Sequence, residues 1–519
     1  MICQQKRTAL AALWSCNTAG MLACIRSAAV YGIEASTVAI EVDVSFGLPG
    51  FTVVGLPDAS VRESRDRIKS AIRNSGFTFP RHRITVNLAP ADVRKAGSSF
   101  DLPIALGVLA ASGAITRRDV DDVLVLGELS LDGAIQPARG VLPVAAAARS
   151  RKFKGLLLPE ANSREAAVVD GLDFYPVRSL TEAVDAINRP NPVVLTCEQQ
   201  GESTEAMHGD FADVRGQLLA RRALEIAAAG GHNVLLSGAP GSGKTMMARR
   251  TAGILPPLTF DEALEVTAIH SVAGLLPDGR GLVRARPFRA PHHTVSDIAL
   301  VGGGSNPRPG EISLAHQGVL FLDEMPEFSR HVLEVLRQPL EDGMVRIARA
   351  QRTCEFPARF VLIGAMNPCP CGYRGHERRA CRCTPHQIAR YESRLSGPLR
   401  DRIDLTVGVS ALPPTELTGD APGESTMAIR ARVQEARARQ QARLSATGVP
   451  VNARLPPRIL RAVCALDARA ARLLATAAER LDLSARGYDR ILRVSRTIAD
   501  LAGQERVSAD HVAEALQFR

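Results

Sequence analysis

No apolar run in this 519-residue chain approaches the roughly 18 residues that a membrane-spanning helix requires, so a membrane partner is not expected. Its ten cysteines are unevenly spaced, which excludes the dense disulfide framework of small secreted domains. No internal repeat is present, which removes repeat architectures from consideration. Lys6 and Arg7 precede a short apolar stretch at 9–14, a faint likeness to a signal peptide whose apolar core is too brief. We expect residues 1–20 to be a dispensable extension, Met21 to be the start, and the compartment to be the cytoplasm. Hydrophobic content of 45% and charge of 23% then describe an ordinary soluble protein, long enough for about three domains of ~150 residues. The formal charge of +10 is compatible with a polyanionic partner. Arginine carries most of it, and a GC-rich genome would give the same bias.

The octapeptide Gly238-Ala239-Pro240-Gly241-Ser242-Gly243-Lys244-Thr245 fits G-x-x-x-x-G-K-[ST], the loop that wraps nucleotide phosphates. Its glycines let backbone N–H groups turn inward, Lys244 reaches the β/γ-phosphates, and the Thr245 hydroxyl is placed to ligate Mg²⁺. Residues 233–237 read as a short buried strand, and 246–252 as the helix whose N-terminus faces the anion. The loop predicts binding of ATP or GTP.

Downstream, the apolar strand 318–322 ends in Asp323 and Glu324. A nucleotide hydrolase needs one carboxylate to hold Mg²⁺ through water and another to polarise the attacking water. Asp323 suits the first role and Glu324 the second. A third strand, 360–365, runs into Met366-Asn367, placing an amide at the carboxyl end of a parallel strand, where ligands of such sheets sit. These three strands, with helices between them, resemble the AAA+ ATPases. That resemblance makes Asn367 the sensor of the lytic water. It makes Arg402, in Ser396-Gly397-Pro398-Leu399-Arg400-Asp401-Arg402, the arginine finger that reaches a neighbouring subunit's γ-phosphate in a ring. Arg400 is the alternative. Ser484-Ala485-Arg486-Gly487-Tyr488-Asp489-Arg490 resembles the second sensor of the family, with Arg486 our choice and Arg490 and Arg493 as the alternatives.

The chain divides into an extension (1–20), a first domain (21–188), a breaker-rich polar linker (189–209), the nucleotide core (210–405) and a helical lid (406–519). Within the first domain, 37–44 and 83–88 look like strands, and 102–111 and 141–148 like helices.

Four strings are similar to the bacterial ComM/YifB family of magnesium-chelatase-like AAA+ proteins. They are Val53-Val54-Gly55-Leu56-Pro57-Asp58-Ala59, Asn87-Leu88-Ala89-Pro90-Ala91-Asp92, Pro287-Phe288-Arg289-Ala290-Pro291-His292-His293 and Pro309-Gly310-Glu311-Ile312-Ser313-Leu314-Ala315-His316. The resemblance implies an α/β chain: a Lon-protease-like module of the ribosomal S5 domain 2-like fold, then an AAA+ core and lid. It implies a homo-hexameric ATPase acting on single-stranded or branched DNA, in branch migration during homologous recombination in natural transformation.

A Lon-type protease needs a serine nucleophile and a lysine base within hydrogen-bond reach. Ser99 falls where the nucleophile would be, but Leu142 occupies the expected lysine position, and Lys152 and Lys154 do not fit the pattern. Proteolysis is not expected. Cys369, Cys371, Cys381 and Cys383 cluster around a polar loop, with His386 just beyond; in a reducing compartment they suggest structural Zn²⁺. Their one-residue spacers are tighter than the common C-x₂-C knuckle. Residues 343–356 read as a β-hairpin ahead of the sensor strand, and the resemblance implies that such a hairpin projects into a pore. Arg349 and Arg352 at its tip would contact DNA phosphates. His292 and His293 suit pore contacts or packing better than metal ligation. A chelatase-like motor subunit and a non-translocating switch that recruits partners remain the alternatives to a DNA motor.

Overall fold

The computed structural model describes residues 21–91, 95, 97–117, 120–193, 195, 208–276, 281–304, 306–348, 353–376, 379–410 and 423–519. The extension 1–20, most of the linker, and both Arg349 and Arg352 lie outside the described residues. Two compact units form: one takes the described residues up to 195 together with Ser271–Leu282, the other those from 208 to His270 and Val283–Arg519.

In the first unit, period-2 patterning builds a half-covered sheet. Val38, Ile40, Val42 and Val44 alternate with less buried neighbours, so one face of their strand points to the core. The strands are β1 (Met21–Tyr31), β2 (Glu34–Ser45), β3 (Gly50–Val54), β4 (Arg83–Ala89), β5 (Val123–Val125), β6 (Gly155–Pro159) and β7 (Asp173–Val177), in the order β3-β4-β2-β1-β5-β6-β7. The β1–β2 and β2–β4 pairings are antiparallel and the other four parallel. Helices α1 (Ala59–Asn74), α2 (Asp101–Ala111), α3 (Val141–Ser150) and α4 (Leu180–Asn188) accompany the sheet. Nearly every residue of α2 is buried, because the helix lies against β1 and β2. Gly107 permits the approach: a Cβ there would lie 2.6 Å from Val42 Cγ2.

The second unit is built on continuous apolar runs, the pattern of strands covered on both faces. Its elements are α5 (Leu218–Gly230), β8 (Val234–Gly238), α6 (Lys244–Ile254), β9 (Phe288–Arg289), β10 (Val319–Leu322), β11 (Met344–Ala348), β12 (Thr353–Pro357), β13 (Val361–Met366), α7 (Pro385–Glu392), β14 (Leu405–Val409), α8 (Thr426–Leu444), α9 (Ala468–Arg480), α10 (Ala485–Leu501) and α11 (Ala509–Gln517). Five strands form one all-parallel sheet in the order β9-β10-β13-β8-β14. All of β10 and β13 is buried. The carboxyl ends of β8, β13 and β10 therefore lie side by side, at the edge where open parallel sheets bind ligands.

Asn233 locks this edge-to-edge order. Its side chain accepts from Leu362 N (2.9 Å) and donates to Arg402 O (2.8 Å), while its backbone N–H donates to Asp404 (3.3 Å). Fully buried His232 contacts Asp404 Oδ2 (3.2 Å) and Thr497 Oγ1 (2.8 Å), tying the start of β8 to α10.

Candidate nucleotide site

Two glycines of the phosphate loop, Gly238 and Gly243, have different jobs. A Cβ on Gly238 would lie 2.3 Å from Val409 O, so the close β8–β14 pairing requires glycine there. Gly243, at φ +88°, occupies the left-handed region as the cap from which α6 starts. Lys244 is buried, and its Nζ donates to the carbonyls of Gly238 (2.7 Å) and Ala239 (2.9 Å) and approaches Asn367 Oδ1 (3.4 Å). Burial pushes its pKa below the usual lysine value, against the pull of Asp323 and Glu324. The Ser242 hydroxyl is buried with no hydrogen-bond partner among the described residues. A destabilised cation, an unpaired hydroxyl and a helix N-terminus fit a polyphosphate.

The acidic pair meets this loop. Thr245 Oγ1 donates to Asp323 Oδ2 (2.7 Å), so the hydroxyl and carboxylate that would hold Mg²⁺ converge. Glu324 sits in the left-handed region at φ +48°, its N–H on Asp323 Oδ1 (3.0 Å) and its side chain more than half exposed. Asn367 emerges from β13, its N–H directed at the Tyr391 hydroxyl of α7 (3.4 Å). Lys244, Thr245, Asp323 and Asn367 are thus joined by direct contacts, and Glu324 adjoins them. Sequence reasoning passed over Tyr391, and it assigned to pore contacts or packing His293, whose Nδ1 lies 3.8 Å from Glu324 Oε2.

The arginines are placed elsewhere in the unit. Only 16% of the Arg402 side chain is exposed; it donates to Arg337 O (3.2 Å) and Pro398 O (2.8 Å) and pairs with Glu341. It borders an open cavity of about 530 Å³ shared with Val301, Glu334, Gln338 and Arg346. Arg400 is exposed, with one bond to Glu392 O. Arg486 lies exposed in the first turn of α10, without a hydrogen bond or ion pair to any described residue. Its neighbours are engaged: Arg490 donates to Ile403 O (2.9 Å) and Arg493 to Leu455 O (3.0 Å).

The cysteines converge despite their tight spacers. The four Sγ atoms lie within 4.8 Å of one another, three of the separations being 3.3, 3.6 and 3.7 Å. Tetrahedral zinc–thiolate bonds of about 2.3 Å would set sulfurs about 3.8 Å apart, so the set fits Zn²⁺. His386 is exposed on α7 and stands outside the cluster. The loop also touches the phosphate loop: a Cβ on Gly372, at φ +81°, would meet the Pro240 ring at 2.7 Å.

β11 and β12 pair antiparallel, with Arg346 opposite Glu355 and bonded to it (2.8 Å), so the expected hairpin stems exist. In the first unit Ser99 lies in a short 3₁₀ turn, and Leu142 is buried, its N–H donating to Glu165 (2.8 Å).

Residues 210–417 match the family described as magnesium chelatase, subunit ChlI; 40–162 match subunit ChlI of Mg-chelatase, and 423–519 its C-terminal region. The competence protein ComM of Haemophilus influenzae is 45% identical over 505 residues, covering 96% of this chain and 97% of that protein. YifB of Escherichia coli is 42% identical over 506 residues, with the same coverage.

Proposed function

The chain belongs to the ComM/YifB family of magnesium-chelatase-like AAA+ proteins, and from that premise we propose that it is an ATP-driven ring motor acting on DNA. One observation carries the ATPase reading: Lys244, Thr245, Asp323 and Asn367 meet at the carboxyl edge of a parallel sheet, with Glu324 beside them. Lys244 and the loop N–H groups bind the phosphates. Thr245 and Asp323 would hold Mg²⁺, which when bound neutralises charge between the β- and γ-phosphates. Glu324 takes the proton from water, Asn367 orients that water, Arg486 closes on the nucleotide from the helical lid, and Arg402 acts on the neighbouring subunit of a hexamer.

DNA as the partner is supported by the net charge of +10 and by the printed name of one relative as a competence protein. Branch migration during homologous recombination in natural transformation is the specific role proposed. Arg349 and Arg352 would contact the phosphates. We read the first unit as an S5 domain 2-like module without protease chemistry, since buried Leu142 stands where the base would be. The cysteine cluster holds a structural Zn²⁺, which would fasten the loop 369–383.

The test is ATP hydrolysis measured with and without single-stranded and forked DNA, together with strand displacement. Stimulation and unwinding are expected. The match to magnesium chelatase favours a second reading, a motor for metal insertion into a tetrapyrrole. Hydrolysis indifferent to every DNA would favour it over a DNA motor, and stimulation without displacement would favour a switch that recruits partners.

A further inference from the structure

The turn that follows Arg402 is gripped by one face of α10. Arg490 Nη1 donates to Ile403 O (2.9 Å), the carbonyl next after Arg402. Seven residues along α10, Thr497 Oγ1 meets His232 Nε2 (2.8 Å), and His232 Nδ1 meets Asp404 Oδ2 (3.2 Å). Residues seven apart share a helix face, so Arg490 and Thr497 address the same stretch of chain. A carboxylate only accepts, so the imidazole presents Nδ1–H to Asp404. Glycine at 230 makes room for this relay: a Cβ there would lie 2.5 Å from Thr497 Oγ1 and run into the His232 ring. The other side of the turn is tied to the sheet. Asn233 Nδ2 donates to Arg402 O (2.8 Å), and Asp404 N and Leu405 N both donate to Asn233 O (3.0 Å each).

Anchoring β14 does not need these two side chains, because β14 pairs with β8 over its whole length, Leu405 to Val409. What they fix is the backbone at 403 and 404. To reach an anion on another subunit, the Arg402 guanidinium must leave Arg337 O, Pro398 O and Glu341. Its starting point is then set by backbone bonds alone, and α10 supplies two of the holds.

We infer that Arg490 and His232 are positioning residues for Arg402: they hold the 402–404 turn against α10 of the same chain, at the place from which Arg402 reaches a neighbouring subunit. This rests on the reading of Arg402 as a finger acting in trans. It gives Arg490 a part in the neighbour's site and not in its own, which separates it from a second sensor.

The full chain is prepared as parent, Arg490→Ala, Arg490→Lys, His232→Ala and Arg402→Ala. Values of kcat and KM for ATP are measured for each alone and in assemblies doped with Lys244→Ala, with co-assembly shown by co-purification of a tagged subunit. Arg490→Ala and His232→Ala should lower kcat about 10–100-fold with KM unchanged, since a misplacement of about 1 Å costs up to about 100-fold. Arg490→Lys keeps a charged donor for the one carbonyl and should stay near the parent. Lys244→Ala carries an intact finger, so doping with it should restore turnover to Arg490→Ala and His232→Ala, as to Arg402→Ala. Doping either with Arg402→Ala should restore nothing. If Arg402→Ala is restored and Arg490→Ala is not, the Arg490 defect lies in its own site, and the inference is overturned while the finger reading stands. If Arg402→Ala is not restored, the finger reading fails and the inference falls with it. A raised KM in Arg490→Ala, or an equal loss in Arg490→Lys, also overturns it. Should His232→Ala not fold, half-buried Arg490 carries the test.

Discussion

Lys244 is an ammonium group kept among carbonyl oxygens, its pKa lowered by burial, an arrangement suited to receiving negative charge. Lys244→Ala should weaken ATP binding about 10–100-fold, the cost of losing one charged hydrogen bond, as measured by nucleotide titration. Glu324→Gln should bind ATP normally and lower kcat by about 10²–10⁴, because only the proton acceptor is lost. Normal turnover in Glu324→Gln would remove Glu324 from the role of base. In the first unit, burial pushes Asp101 up to about 6, although Arg67 bonds both its oxygens at 2.9 and 3.3 Å. A carboxyl raised above its ordinary value favours folding when protonated, so its contribution is full below about 4 and lost as pH rises through 6. The melting temperature of the parent relative to Asp101→Asn should therefore fall between pH 4 and 6 and be level above. A difference that does not vary with pH would show that Asp101 titrates normally.

At the scale of elements, the strands β8, β10 and β13 were legible because continuous apolar runs mark strands covered on both faces. The strands at 37–44 and 83–88 were legible from their period-2 alternation, and the helices at 102–111 and 141–148 as apolar runs longer than a typical buried strand. β9 was not, since two residues carry no period, and with it went the placement of His293, which depends on pairing with a strand 31 residues away. Cysteine convergence was half legible: the sequence supplied the four thiols, and only the folded loop shows that one-residue spacers still bring sulfurs to 3.3–3.7 Å. Metal analysis of protein prepared without chelator should find one zinc per chain, and Cys369→Ser should abolish it. Because Gly372 abuts Pro240, the metal-free variant should also raise KM for ATP. Zinc-free parent protein with an ordinary KM would rule out the centre.

For the whole molecule, the question is what Arg402 does beyond its own chain. Three contacts hold it within the chain, so a role at a neighbour's γ-phosphate means exchanging Glu341 for that anion. Arg402→Ala should bind ATP yet lose about 10³–10⁵ in kcat, as arginine fingers do. Doping Arg402→Ala with Lys244→Ala should regain activity wherever an intact loop meets an intact finger. Mixed assemblies that remain inactive despite proven co-assembly would move the role to Arg400. None of this was visible as geometry in the sequence, because a motif names residues and not the partners they keep in the resting chain.

The first unit borrows Ser271–Leu282, and that loan has a date in the life of the chain. Gly140 N–H donates to Ser271 O (3.3 Å), and the Ser271 hydroxyl bonds the Glu165 carboxylate, whose pKa burial raises. During synthesis these groups wait for roughly a hundred residues, which ribosomes add at about 5–20 per second, so for about 5–20 s. Through that interval a buried carboxylate and a backbone N–H lack their partners. Nascent chains arrested at residue 200 should be cut readily by protease within 21–188, and chains arrested far enough beyond residue 282 to expose it should resist. The amino-terminal unit is thus translated first but completed only after the second has begun.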